Sequence, residues 1–240
     1  MIEAKNLTKS FGKLKALDNV SLSCNKGETI SIIGPNGSGK TTFIKCVLGM
    51  VIPDGGTLHF DNREIKNGWH YREKIGYMPQ IGRYPDNMTI AQIFEMILDL
   101  RQKSWDDADS ELVHSLGLKS IFDKRMRTLS GGTRQKVSAS LAFLFNPDVF
   151  ILDEPTAGLD PLSSEVLKEK IRTEKENGKL ILITSHVLSE LDDLVTAVIY
   201  LQEGSLLFHK NIAQLRSDTG EEKLSRAIAV VMKNSKTQHA

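Results

Sequence analysis

The feature that most constrains this 240-residue chain is the octapeptide GPNGSGKT at residues 34–41. It follows the apolar run TISII and precedes the helical pattern TFIKCVLGM, so the glycines stand between a buried strand and a helix. Glycine lets backbone N–H groups wrap closely around phosphate, and a helix N-terminus favours an anion. Lys40 would then reach the β- and γ-phosphates, and Thr41 would offer its hydroxyl to Mg²⁺. The stretch predicts a nucleotide-phosphate site.

Buried strands are indicated by four apolar runs, the first within TISII, which have the length and continuity of strands covered on both faces. These runs are residues 30–33, 149–152, 180–184 and 198–201. Helical patterns separate most of them, which predicts a parallel sheet covered by helices. The first 30 residues and residues 57–65 read instead as short amphipathic strands with turns between them. We therefore expect an α/β core with a small N-terminal antiparallel sheet.

A helical subdomain inserted into this core is indicated between residues 84 and 146. Residues 89–92 fit a capping box, and the apolar residues that follow share one helical face. Those apolar residues are Ile90, Ile93, Phe94, Ile97 and Leu98. A second helix is expected at residues 107–116, before Gly117, and a third begins in the LSGG stretch at 129–132.

The C-terminal residues predict a last amphipathic helix with Leu224, Ile228 and Val231 on one face, and a polar tail, KNSKTQHA, that we expect to fray. We expect a single domain in three parts. These are an α/β core with its β subdomain at about 1–83 and 147–220, a helical subdomain at about 84–146, and a C-terminal helix and tail at about 221–240.

Two carboxylates follow the apolar run VFIL directly. Asp153 ends the predicted strand, where an acidic residue can hold Mg²⁺ through water. Glu154 suits a different task, because a second carboxylate at this point can polarise the water that attacks the γ-phosphate. A GTPase would need a base-reading Asn-Lys-x-Asp string, and the chain has none.

Two other polar residues at strand ends leave alternatives open. His186 closes the run LILITS, where it could contact the γ-phosphate or serve the structure alone. Gln80 follows the strand-like KIGYM, and its amide could meet Mg²⁺ or the attacking water, or hydrogen-bond a loop. A second anion-binding helix start is indicated by Ser130, Gly131 and Gly132, which open the third helix about 90 residues after the first phosphate loop.

Composition narrows the class of partner. Lys and Arg number 31 against 30 Asp and Glu, a net charge of +1, so no overall field points to nucleic acid or acidic lipid and no direct nucleic-acid partner is expected. Cys24 and Cys46 lack metal-ligand spacing and are expected to be reduced packing residues. The N-terminal MIEAKNLTKS lacks the apolar segment of a signal peptide, and no apolar run approaches the roughly 18 residues of a membrane span.

Taken in order, these motifs resemble those of the ATP-binding subunit of an ABC transporter. GPNGSGKT resembles the Walker A loop, Gln80 the Q-loop, LSGGT the signature motif, VFILDE Walker B, AGLD the D-loop and His186 the switch histidine. Phe11 stands where this family stacks an aromatic ring on adenine. The resemblance implies a P-loop NTPase fold with a RecA-like parallel core, an N-terminal antiparallel β subdomain and an inserted helical subdomain.

The resemblance also implies the roles of the site residues. ATP and Mg²⁺ are the expected ligands, with Thr41, Gln80 and Asp153 at the metal and Glu154, His186 and Gln80 in catalysis. The expected nucleotide-binding residues are Phe11, Gly34, Pro35, Asn36, Gly37, Ser38, Gly39, Lys40, Thr41, Thr42, Ser130, Gly131, Gly132 and Asp160. The chain departs from the family in Thr133, where the signature most often has Gln, and in AGLD, which replaces the common SALD but keeps Asp160.

In this family two ATP-binding domains pack head to tail, each ATP lying between one Walker A loop and the other domain's signature helix. The expected partners are therefore a second copy, or a paired ATP-binding subunit, and integral membrane permease subunits that contact the loop at 81–88. This loop is expected to expose Ile81, Tyr84 and Met88, although ordinary loop packing remains an equal alternative for each of the three residues. We expect a cytoplasmic protein, peripheral on the inner face of the cell membrane, that drives transport and more specifically export.

Two alternatives remain at this point. One is a cytosolic ABC ATPase that transports nothing, of the type that assists metal-site or iron–sulfur-cluster assembly. This alternative stands against the transporter itself, for which the DEPTAGLDP run resembles exporter-type (ABC-2) subunits, with a likeness to those that serve nitrous-oxide-reductase maturation and copper-site assembly. The other is a nucleotide sensor without turnover, which the intact Glu154 and His186 disfavour.

Overall fold

The computed structural model describes residues 1–65, 68–185 and 193–237. The chain divides into two compact units, the first made of Met1–Trp69 with Thr184–Ala240 and the second of His70–Ile183. In chain order the strands are β1 (Ile2–Phe11), β2 (Leu14–Cys24), β3 (Thr29–Ile33), β4 (Gly55–Phe60), β5 (Arg63–Glu64), β6 (Ile75–Met78), β7 (Val149–Asp153), β8 (Leu180–Thr184), β9 (Ala197–Gln202) and β10 (Ser205–Asn211). The helices are α1 (Lys40–Val47), α2 (Ile90–Leu100), α3 (Glu111–Ser115), α4 (Gly131–Phe143), α5 (Pro161–Glu176), α6 (Ile212–Thr219) and α7 (Leu224–Thr237).

An antiparallel sheet in the first unit contains four strands in the order β2-β1-β4-β5. β1 pairs with both β2 and β4, and β4 pairs with β5. Apolar side chains such as Ile2, Leu7 and Val20 are buried, while polar residues between them reach solvent, the pattern of a sheet covered on one face. The small antiparallel sheet expected from the sequence is confirmed.

The first unit also contains three strands in the order β10-β9-β3. β3 pairs in parallel with β9, and every residue of β3 is buried. β10 returns antiparallel to β9. The runs predicted as strands at 30–33 and 198–201 are therefore confirmed, and β3 leads directly through residues 34–39 into α1.

The C-terminal helix α7 is longer than the sequence suggested. Leu224, Ala227 and Ile228 are buried at i, i+3 and i+4, as the amphipathic pattern predicts. The helix then continues through Thr237, so the described part of the tail is helical, and its fraying stays a prediction. A helix that is already nucleated adds one hydrogen bond for each residue it fixes, and the buried first turn supplies that nucleus.

In the second unit, strands lie in the order β8-β7-β6, with β6 and β7 parallel. The first four residues of β7 and all of β8 are buried, which confirms the strands predicted at 149–152 and 180–184. β6 approaches α4 closely at Gly76, where a Cβ atom would lie 2.1 Å from the carbonyl oxygen of Ala142. A side chain at this position would therefore separate the strand from the helix.

The helices of the second unit follow the sequence patterns in one case and depart from them in another. The Thr89 hydroxyl accepts from the N–H of Gln92, and the Gln92 side chain accepts from the N–H of Thr89, so the capping box of α2 is confirmed. The helix predicted at 107–116 is shorter, because α3 begins at Glu111. The Asp107 carboxylate accepts from the N–H and O–H of Ser104 and closes a separate 3₁₀ turn, since short acidic side chains compete with helical hydrogen bonds.

A buried charge cluster joins α3 to α5. Lys170 Nζ lies 2.6 Å from Asp109, 2.8 Å from Glu111 and 3.1 Å from Glu174, and the side chain of Lys170 is 5% exposed. Burial alone lowers the pKa of the Lys170 ammonium, but hydrogen bonds to the three carboxylates outweigh it and hold this pKa above the ordinary value. The lysine is therefore charged and neutralises carboxylates from two elements.

Replacing Lys170 by Met should destabilise the protein by about 3 kcal/mol, because it leaves the buried Glu174 carboxylate without its cation. Urea unfolding of the two proteins measures the difference. Lys168→Met is the matched control on the same helix, since Lys168 pairs with the exposed Glu165 and should cost less than about 1 kcal/mol. Equal stability losses in the two variants would show that the cluster contributes nothing special.

Candidate functional site

The loop at residues 34–39 is a glycine-dependent cradle at the end of β3. Gly34 has φ 148° and Gly39 has φ 105°, conformations that L side chains rarely adopt. A Cβ atom would lie 2.1 Å from the Leu201 carbonyl oxygen at Gly34 and 2.4 Å from the Ala16 carbonyl oxygen at Gly39. The loop backbone therefore packs directly on neighbouring backbone, which fixes its path.

Lys40 lies over this loop at the first position of α1. Its Nζ donates to the carbonyl oxygens of Gly34 at 2.7 Å and Pro35 at 3.0 Å. Ser38 is buried, and its carbonyl oxygen accepts from the N–H of Gly204, which anchors the loop to the turn between β9 and β10. A helix N-terminus, an ammonium group and a fixed loop backbone are together the groups that bind a phosphate chain.

The other residues predicted to bind nucleotide in the first unit lie in this loop, in the first turn of α1 or at the end of β1. Pro35, Asn36 and Gly37 are exposed in the loop, and Thr41 and Thr42 follow Lys40 in α1, with Thr41 exposed. Phe11 ends β1 with its ring 51% exposed and the Lys9 ammonium 5.5 Å from the ring centroid. An exposed aromatic face of this kind suits stacking on a flat base.

The two carboxylates of the second unit stand where β7 ends. Asp153 is the last residue of the strand, and Glu154 turns the chain in a left-handed conformation with φ 51°. The Glu154 carbonyl oxygen accepts from the N–H of Ala157 at 3.1 Å and from the Gln135 side chain at 3.4 Å. Left-handed backbone is uncommon for a glutamate, and such conformations concentrate at functional sites.

Ser130 caps the N-terminus of α4. Its Oγ accepts from the N–H of Thr133, and Gly131 and Gly132 form the first helical turn. The loop after β7 passes against this turn, since a Cβ atom on Gly132 would lie 2.6 Å from the carbonyl oxygen of Gly158. Ser130 and Gly131 are exposed, so the N-terminus of α4 lies at the protein surface.

Asp160 links the loop after Glu154 to α4. It is the N-cap of α5, accepting from the N–H and O–H of Ser163, and it pairs with Lys136 at 2.8 Å. The Lys136 ammonium, followed by the Ser163 donors, holds the pKa of the Asp160 carboxyl well below its usual range. Asp160 followed by Pro161 is a readable N-cap signal, whereas nothing in the sequence pattern singled out Lys136 or Gln135.

The loop at 81–88 differs from expectation at two residues. Ile81 is 73% exposed, as predicted, whereas Met88 is half-buried. The prediction that Tyr84 is exposed was wrong, because its hydroxyl hydrogen-bonds Ser138 of α4 at 2.7 Å and its ring is half-buried. Burial raises the pKa of the Tyr84 hydroxyl, so this group stays protonated. A phenol can bury its ring if its hydroxyl finds a partner.

Gln80 is exposed two residues after β6, whereas His186 lies outside the described residues. Among the residues that the structure describes, no group of three or more His, Cys, Asp or Glu side chains has the arrangement of a metal site. Mg²⁺ does not need such a group, because it usually takes one or two protein oxygens together with substrate phosphates and water. The Thr41 hydroxyl and the Asp153 carboxylate are oxygens of that kind.

Cys24 and Cys46 are both buried free thiols, as expected for packing residues. Burial raises the pKa of Cys24 to about 12 and that of Cys46 to about 11, so neither is a thiolate near neutral pH. Within the described part of the chain, no helix combines the length and the apolar character required to cross a bilayer.

The chain is similar in sequence to known ATP-binding proteins of transport systems. The family model described as ABC transporter matches residues 17–157. The lantibiotic transport ATP-binding protein SrtF of Streptococcus pyogenes is 32% identical over 88% of this chain and 90% of its own. The lipopolysaccharide export system ATP-binding protein LptB of Escherichia coli K12 is 32% identical over 90% of this chain and 93% of its own.

A solved structure of a dimeric ATP-binding cassette, in a post-hydrolysis state with ADP and Pi bound, is also similar. It superimposes with a TM-score of 0.74 and 26% identity, over 88% of this chain and 99% of the other.

Proposed function

Because this chain belongs to the ABC transporter family of ATP-binding proteins, we propose that it works as a pair of copies docked on integral membrane subunits. The chain is an ATP-binding, ATP-hydrolysing subunit. The observation that best supports the pairing is that one chain contains two glycine-containing helix N-termini, at Lys40 and at Ser130, each of a kind that binds an anion. Two copies related by a two-fold axis satisfy both N-termini of both chains through one self-complementary contact.

The residues at the first of these N-termini hold the substrate. The N–H groups of residues 37–41 and the Lys40 ammonium bind the phosphate chain of ATP, and the Phe11 ring stacks on its adenine. Ser130, Gly131 and Gly132 of the second copy complete the enclosure of the γ-phosphate with a hydroxyl and helix N-terminal N–H groups. Asp160 shapes the loop beside Glu154 through its cap and its pair with Lys136.

Glu154 carries the proton chemistry in this proposal. Its carboxylate accepts a proton from the attacking water, and His186 and Gln80 orient the γ-phosphate and that water. Thr41, Gln80 and Asp153 would hold Mg²⁺, which neutralises charge that develops on the phosphate oxygens. Hydrolysis separates the γ-phosphate from ADP. When this phosphate leaves, the two copies lose the anion that both of them contact, so the pair opens and moves the attached membrane subunits.

A groove beside α2 is the proposed contact for the membrane subunit. Met88, Met96 and Leu100 give it an apolar floor, Glu95 and Asp99 add negative charge, and its volume is about 530 Å³. Flexible methionine side chains adapt to an apolar helix face, and the acidic residues favour basic flanks. We therefore propose that a short cytoplasmic helix of the permease, apolar on one face and basic at its ends, binds here.

We propose that the protein works on the cytoplasmic face of the membrane, as part of an export system. The support for export is the name of the relative LptB, which belongs to a lipopolysaccharide export system. The transported substance is selected by the membrane subunits, whose chemistry this chain does not carry.

Affinity isolation from detergent-solubilised cells tests the membrane role. Tagged Glu154→Gln protein with MgATP should bring down one multispanning membrane protein in near-equal amount, identified by mass spectrometry. Leu100→Glu, which places a charge in the groove at a side chain that is 72% exposed, should lose that protein. Ile52→Glu is the matched control, because Ile52 is 81% exposed and lies in the other unit. Recovery of soluble assembly factors alone would overturn the transporter assignment.

A further inference from the structure

Thr133 makes a second contact to Ser130 besides the helix cap. The two hydroxyl oxygens, Ser130 Oγ and Thr133 Oγ1, lie 2.9 Å apart, and the Thr133 N–H donates to Ser130 Oγ at 3.2 Å. Thr133 is half-buried, whereas Ser130 is exposed. Both lone pairs of the Ser130 oxygen are thus within reach of donors from the same residue.

The helix α2 of this chain shows what a longer side chain does at the corresponding position. There the third helical residue is Gln92, whose side chain reaches back to accept from the N–H of the cap residue Thr89 at 2.9 Å. Glu and Gln are the usual residues at that position of a reciprocal capping box. The threonine side chain is shorter, and in α4 its hydroxyl contacts the hydroxyl of the cap residue instead of its backbone.

Counting protons shows what this contact can do. A serine hydroxyl has one proton and two lone pairs. If the N–H and the O–H of Thr133 both donate to Ser130 Oγ, the single Ser130 proton has to point away from α4, toward whatever lies outside. The opposite arrangement would place the Ser130 proton on Thr133 and turn a lone pair outward, which a phosphate anion opposes.

We propose that Thr133 is a positioning residue: its hydroxyl donates to Ser130 Oγ and so directs the Ser130 proton toward the γ-phosphate bound by the second copy. The inference rests on the proposed function, in which Ser130 contacts that phosphate. Two hydroxyls that donate in series polarise each other, which strengthens the outer hydrogen bond. The Thr133 hydroxyl therefore promotes closure of the pair without touching the nucleotide.

The test measures the ATP concentration that gives half-maximal dimer, by sedimentation velocity, in full-length protein carrying Glu154→Gln to prevent turnover. Thr133→Val keeps the shape and removes the hydroxyl, and should raise that concentration about fivefold, the worth of one hydrogen bond. Thr133→Ser restores the hydroxyl and should return it to within about twofold of the parent. Thr133→Ala serves as a second hydroxyl-free variant if the valine protein does not fold.

Ser130→Ala separates this role from a merely structural one. Ser130→Ala alone should raise the ATP concentration that gives half-maximal dimer. Adding Thr133→Val to Ser130→Ala should change this concentration no further, because Thr133 then has no hydroxyl to orient. If Thr133→Val has the same effect in the parent and in the Ser130→Ala protein, or no effect in either, the inference is overturned and the proposed function stands. If Ser130→Ala alone leaves dimerisation unchanged, the proposed function fails first.

Discussion

Glu154→Gln should lower kcat for ATP hydrolysis by at least about 100-fold, since removing a general base typically costs 10²- to 10⁴-fold. Glutamine has nearly the same shape as glutamate, so it preserves the turn after β7 but does not accept a proton from water. ATP affinity should stay within about threefold of the parent, because the phosphate contacts at residues 34–41 are untouched. Phosphate release under saturating ATP measures the rate, and a fluorescent ATP analogue measures binding.

The matched control for this variant is Glu165→Gln. Glu165 is exposed on α5, where it pairs with Lys168, so the change removes the same charge from the same unit away from β7. Its kcat should equal that of the parent. A Glu154→Gln protein with near-normal kcat would remove Glu154 from the role of base.

Lys40→Ala should reduce ATP affinity by about 100-fold, which corresponds to the loss of two charge-assisted hydrogen bonds to phosphate. The rest of the loop should keep its path, because Gly34 and Gly39 pack on the backbone at Leu201 and Ala16. Titration with the fluorescent ATP analogue checks this expectation, and circular dichroism checks that the variant is folded.

Lys45→Ala provides the comparison for Lys40. It removes the same charge from the same helix, but Lys45 is exposed in the last turn of α1. ATP affinity should therefore be unchanged in the Lys45 variant. Retained ATP binding in the Lys40 variant would contradict the phosphate cradle, whatever the Lys45 variant does.

The sequence was sufficient wherever a local pattern determines the structure. Short continuous apolar runs predicted β3, β7, β8 and β9, because such runs are typical of strands covered on both faces. Thr89 and Gln92 determined the start of α2 through their own two hydrogen bonds. The glycines at 34–39 were readable because the positive φ angles and close backbone contacts leave few alternatives.

Local patterns failed where a distant partner decides. Tyr84 was expected to be exposed in a polar loop, yet Ser138, 54 residues away, gives its hydroxyl a partner. The expected first turn of the helix at 107–116 is lost because Asp107 bonds Ser104, and Asp109 accepts from Lys170, 61 residues away. Nothing within a few residues of Tyr84 or Asp109 encodes Ser138 or Lys170, whereas the contact of Asp107 with Ser104 is local and was missed in the sequence.

The candidate site shows the same division. The left-handed glycines Gly34 and Gly39 and the helix cap Ser130 were identified from short motifs. The contacts of Lys136 with Asp160 and of Thr133 with Ser130 depend on side-chain placement in the folded chain. The second of these was visible in the sequence as a departure from the usual signature, but its consequence was not.

The most direct test of this account is whether α4 of one copy binds the nucleotide held by the other. Sedimentation velocity of Glu154→Gln protein should show a monomer without nucleotide and a dimer with MgATP. Adding Ser130→Glu sets a negative charge against the γ-phosphate, so that protein should bind the ATP analogue normally yet remain a monomer. Ser120→Glu, at an exposed serine of the same unit, should dimerise like its parent. Dimerisation of the Ser130→Glu protein at the same ATP concentration as its parent would contradict the account.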